Sequence, residues 1–265
     1  STGQIPECQS KRQYLAKGKE IYEWGYLYAI PYEYYRKYGI RKYGFHGTSH
    51  RYVTLATADF LGKKPEDVTL ITCHLGNGCS MAAVKNGKVI DTTMGLTPLE
   101  GLMMGTRSGD LDPAVVIRLI DQGHTSKEVD TILNKKSGLY GVGGINSGDM
   151  RDMITAAEGG NEQAELALKM FARRVVKYIG AYYVLLGGVD ALVFTGGVGE
   201  YSVPMRKRIT SQIEALGVKL DDARNKECFG KAGVISTDDS AWKMIVMPTD
   251  EELMIAKDTV ATLGL

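Results

Sequence analysis

Val68-Thr69-Leu70-Ile71-Thr72-Cys73-His74-Leu75-Gly76-Asn77-Gly78-Cys79-Ser80-Met81-Ala82-Ala83-Val84-Lys85-Asn86-Gly87-Lys88-Val89-Ile90 decides the fold. Residues 68–73 are apolar and β-branched, which reads as a buried strand. A glycine turn follows. Residues 81–84 and 89–90, joined by Asn86-Gly87, read as a hairpin with a tight turn. A second apolar run, Ala191-Leu192-Val193-Phe194, ends in another glycine turn, and Lys243-Met244-Ile245-Val246-Met247 reads as the last strand.

Helix signals fill the spaces between these strands. Asp112-Pro113 opens a helix, with Asp as N-cap and Pro in the first turn, and Gly123 ends it. Thr125 and Glu128 form a capping box. Residues 161–186 predict a long amphipathic helix, with Leu168, Phe171, Val175, Tyr178, Tyr182 and Leu185 on its apolar face. Ser202 is expected to cap a helix ending at Gly217, and Thr249 with Glu252 to cap the terminal one. Strands alternating with helices, plus an early hairpin, predict an α/β domain with a mixed sheet. Residues 1–22 carry no clear pattern and stay unassigned. The aromatic-dense residues 22–35 read as packed helix and loop at a domain boundary, since their charges are of mixed sign.

Composition limits the function. The chain has 265 residues, 44% hydrophobic and 24% charged, which is ordinary for a globular protein. A net charge of +1 gives no general attraction to nucleic acid or to an anionic membrane. No apolar run is long enough to predict a transmembrane helix, and the first residues do not read as a signal peptide. Four scattered cysteines without a CxxC pair argue against a zinc site and fit a reducing, cytoplasmic setting. Glycine is in excess: 32 of 265 residues, about 12% against an average of ~7%.

That excess gathers where chemistry is expected. His74-Leu75-Gly76-Asn77-Gly78 and Gly196-Gly197-Val198-Gly199-Glu200 both follow strands. Glycine lets backbone N–H groups approach a phosphate closely, and successive N–H groups form an anion nest. The same glycines serve tight turns equally well. Neither loop fits a P-loop or a Rossmann fingerprint. His46 and His50 lie four apart, the spacing of zinc ligands on a helix, but a histidine donating to a phosphoryl oxygen is the better functional reading. A plain helix start with Thr48 as N-cap remains open. Arg107, in a turn between Gly105 and Gly109, can clamp phosphoryl charge or lie idle on the surface. Asp149, before Met150 and Arg151, can bind a ribose hydroxyl or cap a helix. Glu251 sits in an acidic first turn, which is favourable in itself.

Together these residues carry a resemblance. Tyr43-Gly44-Phe45-His46-Gly47-Thr48-Ser49-His50-Arg51-Tyr52-Val53 resembles a signature of the acetate kinase family. The likeness continues through residues 74–78, the long block 94–110, residues 194–200 and Pro248-Thr249-Asp250-Glu251-Glu252. It spans roughly residues 24–262. The resemblance implies an actin-like/sugar-kinase-like ATPase lobe, α/β with a mixed sheet and flanking helices. It implies phosphoryl transfer between ATP and acetate, giving acetyl phosphate and ADP with Mg²⁺, in a cytoplasmic homodimer. By match, His46 and Arg107 would stabilise the transferring group, with His50 in support. His74, Leu75, Gly76, Asn77 and Gly78 would bind phosphate. Asp149, Met150 and Arg151 would lie at the adenosine, Gly196, Gly197, Val198, Gly199 and Glu200 would flank the nucleotide, and Glu251 would help hold Mg²⁺.

The chain also departs from that pattern. The family's N-terminal strand, its Asn-Ser-Gly-Ser-Ser-Ser loop, the acetate-binding arginine and an Asp-Thr-Ala-Phe-His segment find no match. Gln13-Tyr14-Leu15-Ala16-Lys17 stands where that last segment is expected. Tyr201 replaces a usual Asn. The expectation is therefore that residues 23–265 form the C-terminal, nucleotide-binding lobe, poorly active alone. A propionate or butyrate kinase and a non-catalytic nucleotide-binding module are the alternatives.

Overall fold

Leu70–Leu75 is buried at every position but one, on both faces, so this strand belongs at the centre of a sheet rather than at its edge. The computed structural model describes residues 23–264 and puts it there. The unassigned segment 1–22, including residues 13–17, lies outside the described residues.

Two short helices come first, α1 (Glu23–Tyr26) and α2 (Tyr32–Tyr38), then α3 (Gly47–Phe60). A meander follows: β1 (Leu70–Leu75), β2 (Cys79–Lys85) and β3 (Lys88–Thr92). Helices α4 (Pro113–Asp121), α5 (Ser126–Lys135), α6 (Gly138–Val142), α7 (Met150–Glu158) and α8 (Glu162–Leu186) lead to β4 (Ala191–Thr195). After it come α9 (Gly196–Tyr201), α10 (Val203–Thr210), α11 (Asp222–Glu227), β5 (Gly233–Val234), β6 (Lys243–Val246) and α12 (Glu251–Leu263).

The sheet order is β3-β2-β1-β4-β6-β5. Strands β1, β4 and β6 run parallel, while β2, β3 and β5 pair antiparallel with their neighbours. This is the mixed sheet with flanking helices that the sequence predicts. Asn86 (φ 52°) and Gly87 (φ 70°) are both left-handed, which is what a two-residue hairpin turn matched to strand twist requires.

Strand alternation divides the core between two faces. Ile71, Cys73 and Leu75 join Phe171, Val175 and Ile179 of α8 on one side. Leu70 joins Val53 and Ala58 of α3 on the other. Burying these side chains removes apolar surface from water at roughly 25 cal/mol per Å².

Local caps follow the sequence reading where the partner is close by. Asp112 accepts from the Ala114 N–H, Thr125 and Glu128 form the capping box, and Asn161 caps α8. Elsewhere the structure corrects it. The helix expected from Ser202 to Gly217 is two pieces, α10 with Pro204 in its first turn and a 3-10 turn (Glu214–Leu216) that closes at Gly217, and α9 already starts ahead of it at Gly196. The Ser202 hydroxyl is buried and caps nothing. Asp250, not Thr249, caps α12 by accepting from the Leu253 N–H at 2.8 Å. Leu185 is 51% exposed, because the 3.6-residue period carries the buried row from Tyr182 to Leu186 instead.

Candidate active site

The parallel neighbours β1 and β4 end side by side, and both glycine loops leave from those ends. Open α/β sheets bind ligands outside the carboxyl ends of their strands. The loops pack closely: a Cβ on Gly196 would stand 2.9 Å from the Leu75 carbonyl oxygen. A third segment joins them, since the Gly105 N–H donates to the Asn77 carbonyl at 3.1 Å. A fourth closes in, since a Cβ on Gly105 would lie 3.1 Å from the Gly148 oxygen. Residues spread from 74 to 200 in sequence thus meet at one edge of the sheet.

Arg107 and His46 face each other across Gly78. A Cβ there would stand 3.3 Å from Arg107 Nη1 and 3.5 Å from His46 Nε2. Arg107 is half-buried. The one hydrogen-bond contact of its guanidinium among the described residues is a long one to the Met104 sulfur, 3.7 Å, and it has no ion pair there. His46 is the N-cap of α3 and holds a left-handed backbone (φ 57°). That corrects the expectation of Thr48 as N-cap: the helix already begins at Gly47, whose small size lets the chain turn in at once.

Behind His46 lies a layer of hydroxyls and imidazoles. Both expected histidines bond one hydroxyl: His46 Nδ1 lies 2.8 Å and His50 Nε2 2.7 Å from Ser80 Oγ. His50 Nδ1 meets Thr72 Oγ1 at 2.8 Å, and His74 Nδ1 meets Ser49 Oγ at 2.8 Å. His74 stacks on His46 with centroids 4.1 Å apart. Burial, then the Arg107 charge, pulls the His46 pKa down from 6.5 to about 4. Burial, then His46, pulls His74 down to about 3. Burial, then its two imidazole neighbours, holds His50 well below its usual range. All three rings are uncharged at neutral pH.

The other expected residues divide by what their side chains can reach. Asn77 is exposed at the tip of the first loop, where the Gly76 N–H closes on the Gly78 carbonyl. Leu75 and Met150 point into the core, so only their backbones border the site. Asp149 caps α7 and pairs with Arg151, Oδ2 to Nη2 at 2.8 Å. Gly197 is the open point of the second loop, with Val198 and Gly199 turned inward. Glu200 is buried; its Oε1 accepts from the Gly196 N–H at 2.8 Å, from the Thr195 hydroxyl at 3.2 Å and from the Thr249 N–H at 3.2 Å. Glu251 is half-buried in the first turn of α12. Among the described residues no group of three His, Cys, Asp or Glu is placed to hold a metal ion. Sequence reasoning missed Thr72, Ser80 and Ser49. The signal was there for Thr72, which occupies an alternate position to His74 in a largely apolar strand and so shares its face.

Comparison with known proteins fits this arrangement. The profile of the acetokinase family matches residues 18–257. The acetate kinase of Clostridium novyi (strain NT) is 58% identical over 238 residues, 89% of this chain and 59% of that protein. The acetate kinase of Thermotoga maritima is 58% identical over 236 residues, 88% of this chain and 59% of that protein. Among solved structures, Porphyromonas gingivalis acetate kinase superposes with a TM-score of 0.88 at 48% identity, covering 91% of this chain and 61% of that one. A propionate kinase from Francisella tularensis subsp. tularensis gives 0.86 at 41% identity, covering 94% and 62%. The fold is that of the actin-like and sugar-kinase-like ATPases. The chain spans about 59% of the length of the curated relatives it matches. With the motifs gathered at one sheet edge and the profile matching most of its length, the chain belongs to the acetokinase family.

Proposed function

We propose that residues 23–265 form the nucleotide-binding lobe of a kinase that moves a phosphoryl group between ATP and acetate, giving acetyl phosphate and ADP. One observation carries this reading: the Arg107 guanidinium, without an acidic partner among the described residues, faces His46 across Gly78. A half-buried cation kept unpaired beside glycine turns is suited to an anion. Phosphoryl transfer needs in-line positioning and charge neutralisation more than covalent chemistry. Arg107 supplies the charge. His46 supplies a neutral ring at contact distance, and His50 supports it. Asn77 and the 76–78 turn border the phosphate oxygens, while Asp149, Arg151 and the 196–200 loop bracket the rest of the nucleotide.

Bound Mg²⁺ would neutralise phosphate charge, with Glu251 as its holder. This ion keeps several waters and takes only one or two carboxylates beside the phosphates, so a single Glu suits it. Glu251 lies two residues past Thr249, whose N–H is tied to the second glycine loop through Glu200. Acetate is favoured over propionate because the curated relatives at 58% identity are acetate kinases, and Porphyromonas gingivalis acetate kinase, at 48%, is nearer than the propionate kinase at 41%. The homodimer is supported by α4, which buries no residue and exposes Val115, Ile117 and Ile120. A cytoplasmic location comes from the family resemblance; among the described residues no helix is long and apolar enough to cross a membrane.

The test is ATP formation from MgADP and acetyl phosphate by the chain, alone and mixed with the N-terminal lobe of a relative. Activity in either case that Arg107→Ala removes supports the reading, and rates with acetate, propionate and butyrate then rank the acids. Tight MgADP binding without transfer in both cases would favour a non-catalytic binding module instead.

A further inference from the structure

Period-two alternation turns Thr72 and His74 of β1 toward α3, opposite the face that carries Ile71, Cys73 and Leu75. His74 pairs in register with Ser80 of β2, so Ser80 shares that face. There, four side chains form one unbranched line of hydrogen bonds: Thr72 Oγ1 to His50 Nδ1, His50 Nε2 to Ser80 Oγ, and Ser80 Oγ to His46 Nδ1, each 2.7–2.8 Å. Thr72, His50 and Ser80 are fully buried, and His46 reaches the site.

A neutral imidazole has one donor and one acceptor nitrogen, and a hydroxyl has one proton. Burial keeps both rings neutral. The line therefore has two self-consistent directions. In the first, Thr72 donates to His50, His50 Nε2–H donates to Ser80, and Ser80 donates to His46 Nδ1, which leaves the His46 proton on Nε2. In the second every bond reverses, and His46 Nε2 is a bare acceptor.

The buried end decides between them. Thr72 Oγ1 has one hydrogen-bond partner among the described residues, His50 Nδ1. The reversed direction strands the Thr72 hydroxyl proton where no water reaches, while the forward direction satisfies every group along the line. The exposed end agrees. Nε2 is the nitrogen beside Arg107, and an N–H there attracts the anion that a lone pair would repel.

We propose that Thr72, His50 and Ser80 are positioning residues that hold His46 in its Nε2–H tautomer and aim that proton at the anion bound by Arg107. The role of the tautomer, though not its existence, rests on the reading of His46 and Arg107 as the phosphoryl site. It makes His46 a neutral donor set from inside the fold.

The experiment is ¹⁵N NMR of the imidazole nitrogens in the full chain, which has four histidines to assign. His46 should show a pyrrole-type Nε2 and a pyridine-type Nδ1. Thr72→Val keeps the shape but removes the deciding hydroxyl, and should move His46 toward the opposite tautomer and weaken inorganic phosphate binding about tenfold. Thr72→Ser should restore both. Thr54→Val removes a buried hydroxyl that bonds the His50 carbonyl outside the line, and should leave the His46 spectrum unchanged. A wild-type His46 with its proton on Nδ1, or a Thr72→Val spectrum identical to wild type, overturns the proposal. If Thr72→Val does not fold, the wild-type spectrum still decides. An Nε2–H tautomer together with phosphate binding untouched by Arg107→Ala would instead sink the active-site reading and leave the tautomer assignment standing.

Discussion

The two glycine loops end neighbouring parallel strands and are built from the same residue type, yet they use their surroundings in opposite ways. Around the first, at 76–78, the charged and polar groups stay available: Arg107 has no acidic partner among the described residues, and Asn77 is exposed. The second, at 196–200, carries its own anion. The Glu200 carboxylate folds back and accepts from Gly196, Thr195 and Thr249. One loop keeps its polar groups unengaged among the described residues, and the other is closed by an internal anion. A run of glycines in a sequence therefore marks where backbone can come close, without saying what it comes close to.

The largest expected effect separates the loops by function. Arg107→Ala should lower phosphoryl transfer by ~10³ or more, with little change in MgADP affinity. Steady-state kinetics beside calorimetric titration checks this, and equal losses in both would make Arg107 a ground-state binder.

Next comes stability. Glu200→Ala leaves buried donors unmet and should cost about 3 kcal/mol, read as a lower urea midpoint with an unchanged slope. Arg107→Ala should cost far less by the same assay. If the two variants lose stability equally, the contrast between the loops fails.

Single methyl groups sharpen the picture further. Gly78→Ala places its Cβ against Arg107 and His46 and should weaken phosphate binding about tenfold, ~1.4 kcal/mol. Gly197→Ala meets nothing within 4 Å and should leave both stability and phosphate binding unchanged. Isothermal titration of both variants with inorganic phosphate tests the pair.

The last effect is confined to acid. His46 and His74 titrate near 4 and 3 when folded, below the 6.5 of the open chain. Between those values the unfolded state binds more protons, so their contribution is complete above pH 6.5 and is lost as pH falls toward 3. The urea midpoint of wild type should fall over that range more steeply than that of His74→Gln. Parallel curves would show that the ring is not buried uncharged.

Much of this fold is legible because its signals are local. Asp112, Thr125 and Asn161 cap the helices they precede, and Asn86-Gly87 makes the turn its composition requires. The signals fail where the path of the chain buries the hydroxyl away from the helix it would cap. Thr249 has the spacing of a cap, but its hydroxyl is buried and Asp250 beside it does the capping. The Ser202 hydroxyl is likewise buried, and α9 already begins at Gly196, directly after β4. Within the site, the residue types that could touch an anion stand out in sequence. Those that prepare them do not: Ser80 and Thr72 are ordinary strand residues until pairing with α3 gives them a task. Glu200 reads as a ligand contact and proves to be the brace of its own loop.

His46 holds a left-handed backbone, a conformation that costs most non-glycine residues about 1 kcal/mol and that Gly adopts freely. The position is thus a built-in trade-off. Its backbone favours losing the ring that the proposed phosphoryl site would retain. A selection for thermal tolerance alone would drift toward silent, sturdier descendants at this residue. Only a selection that also demands turnover would keep the imidazole in place.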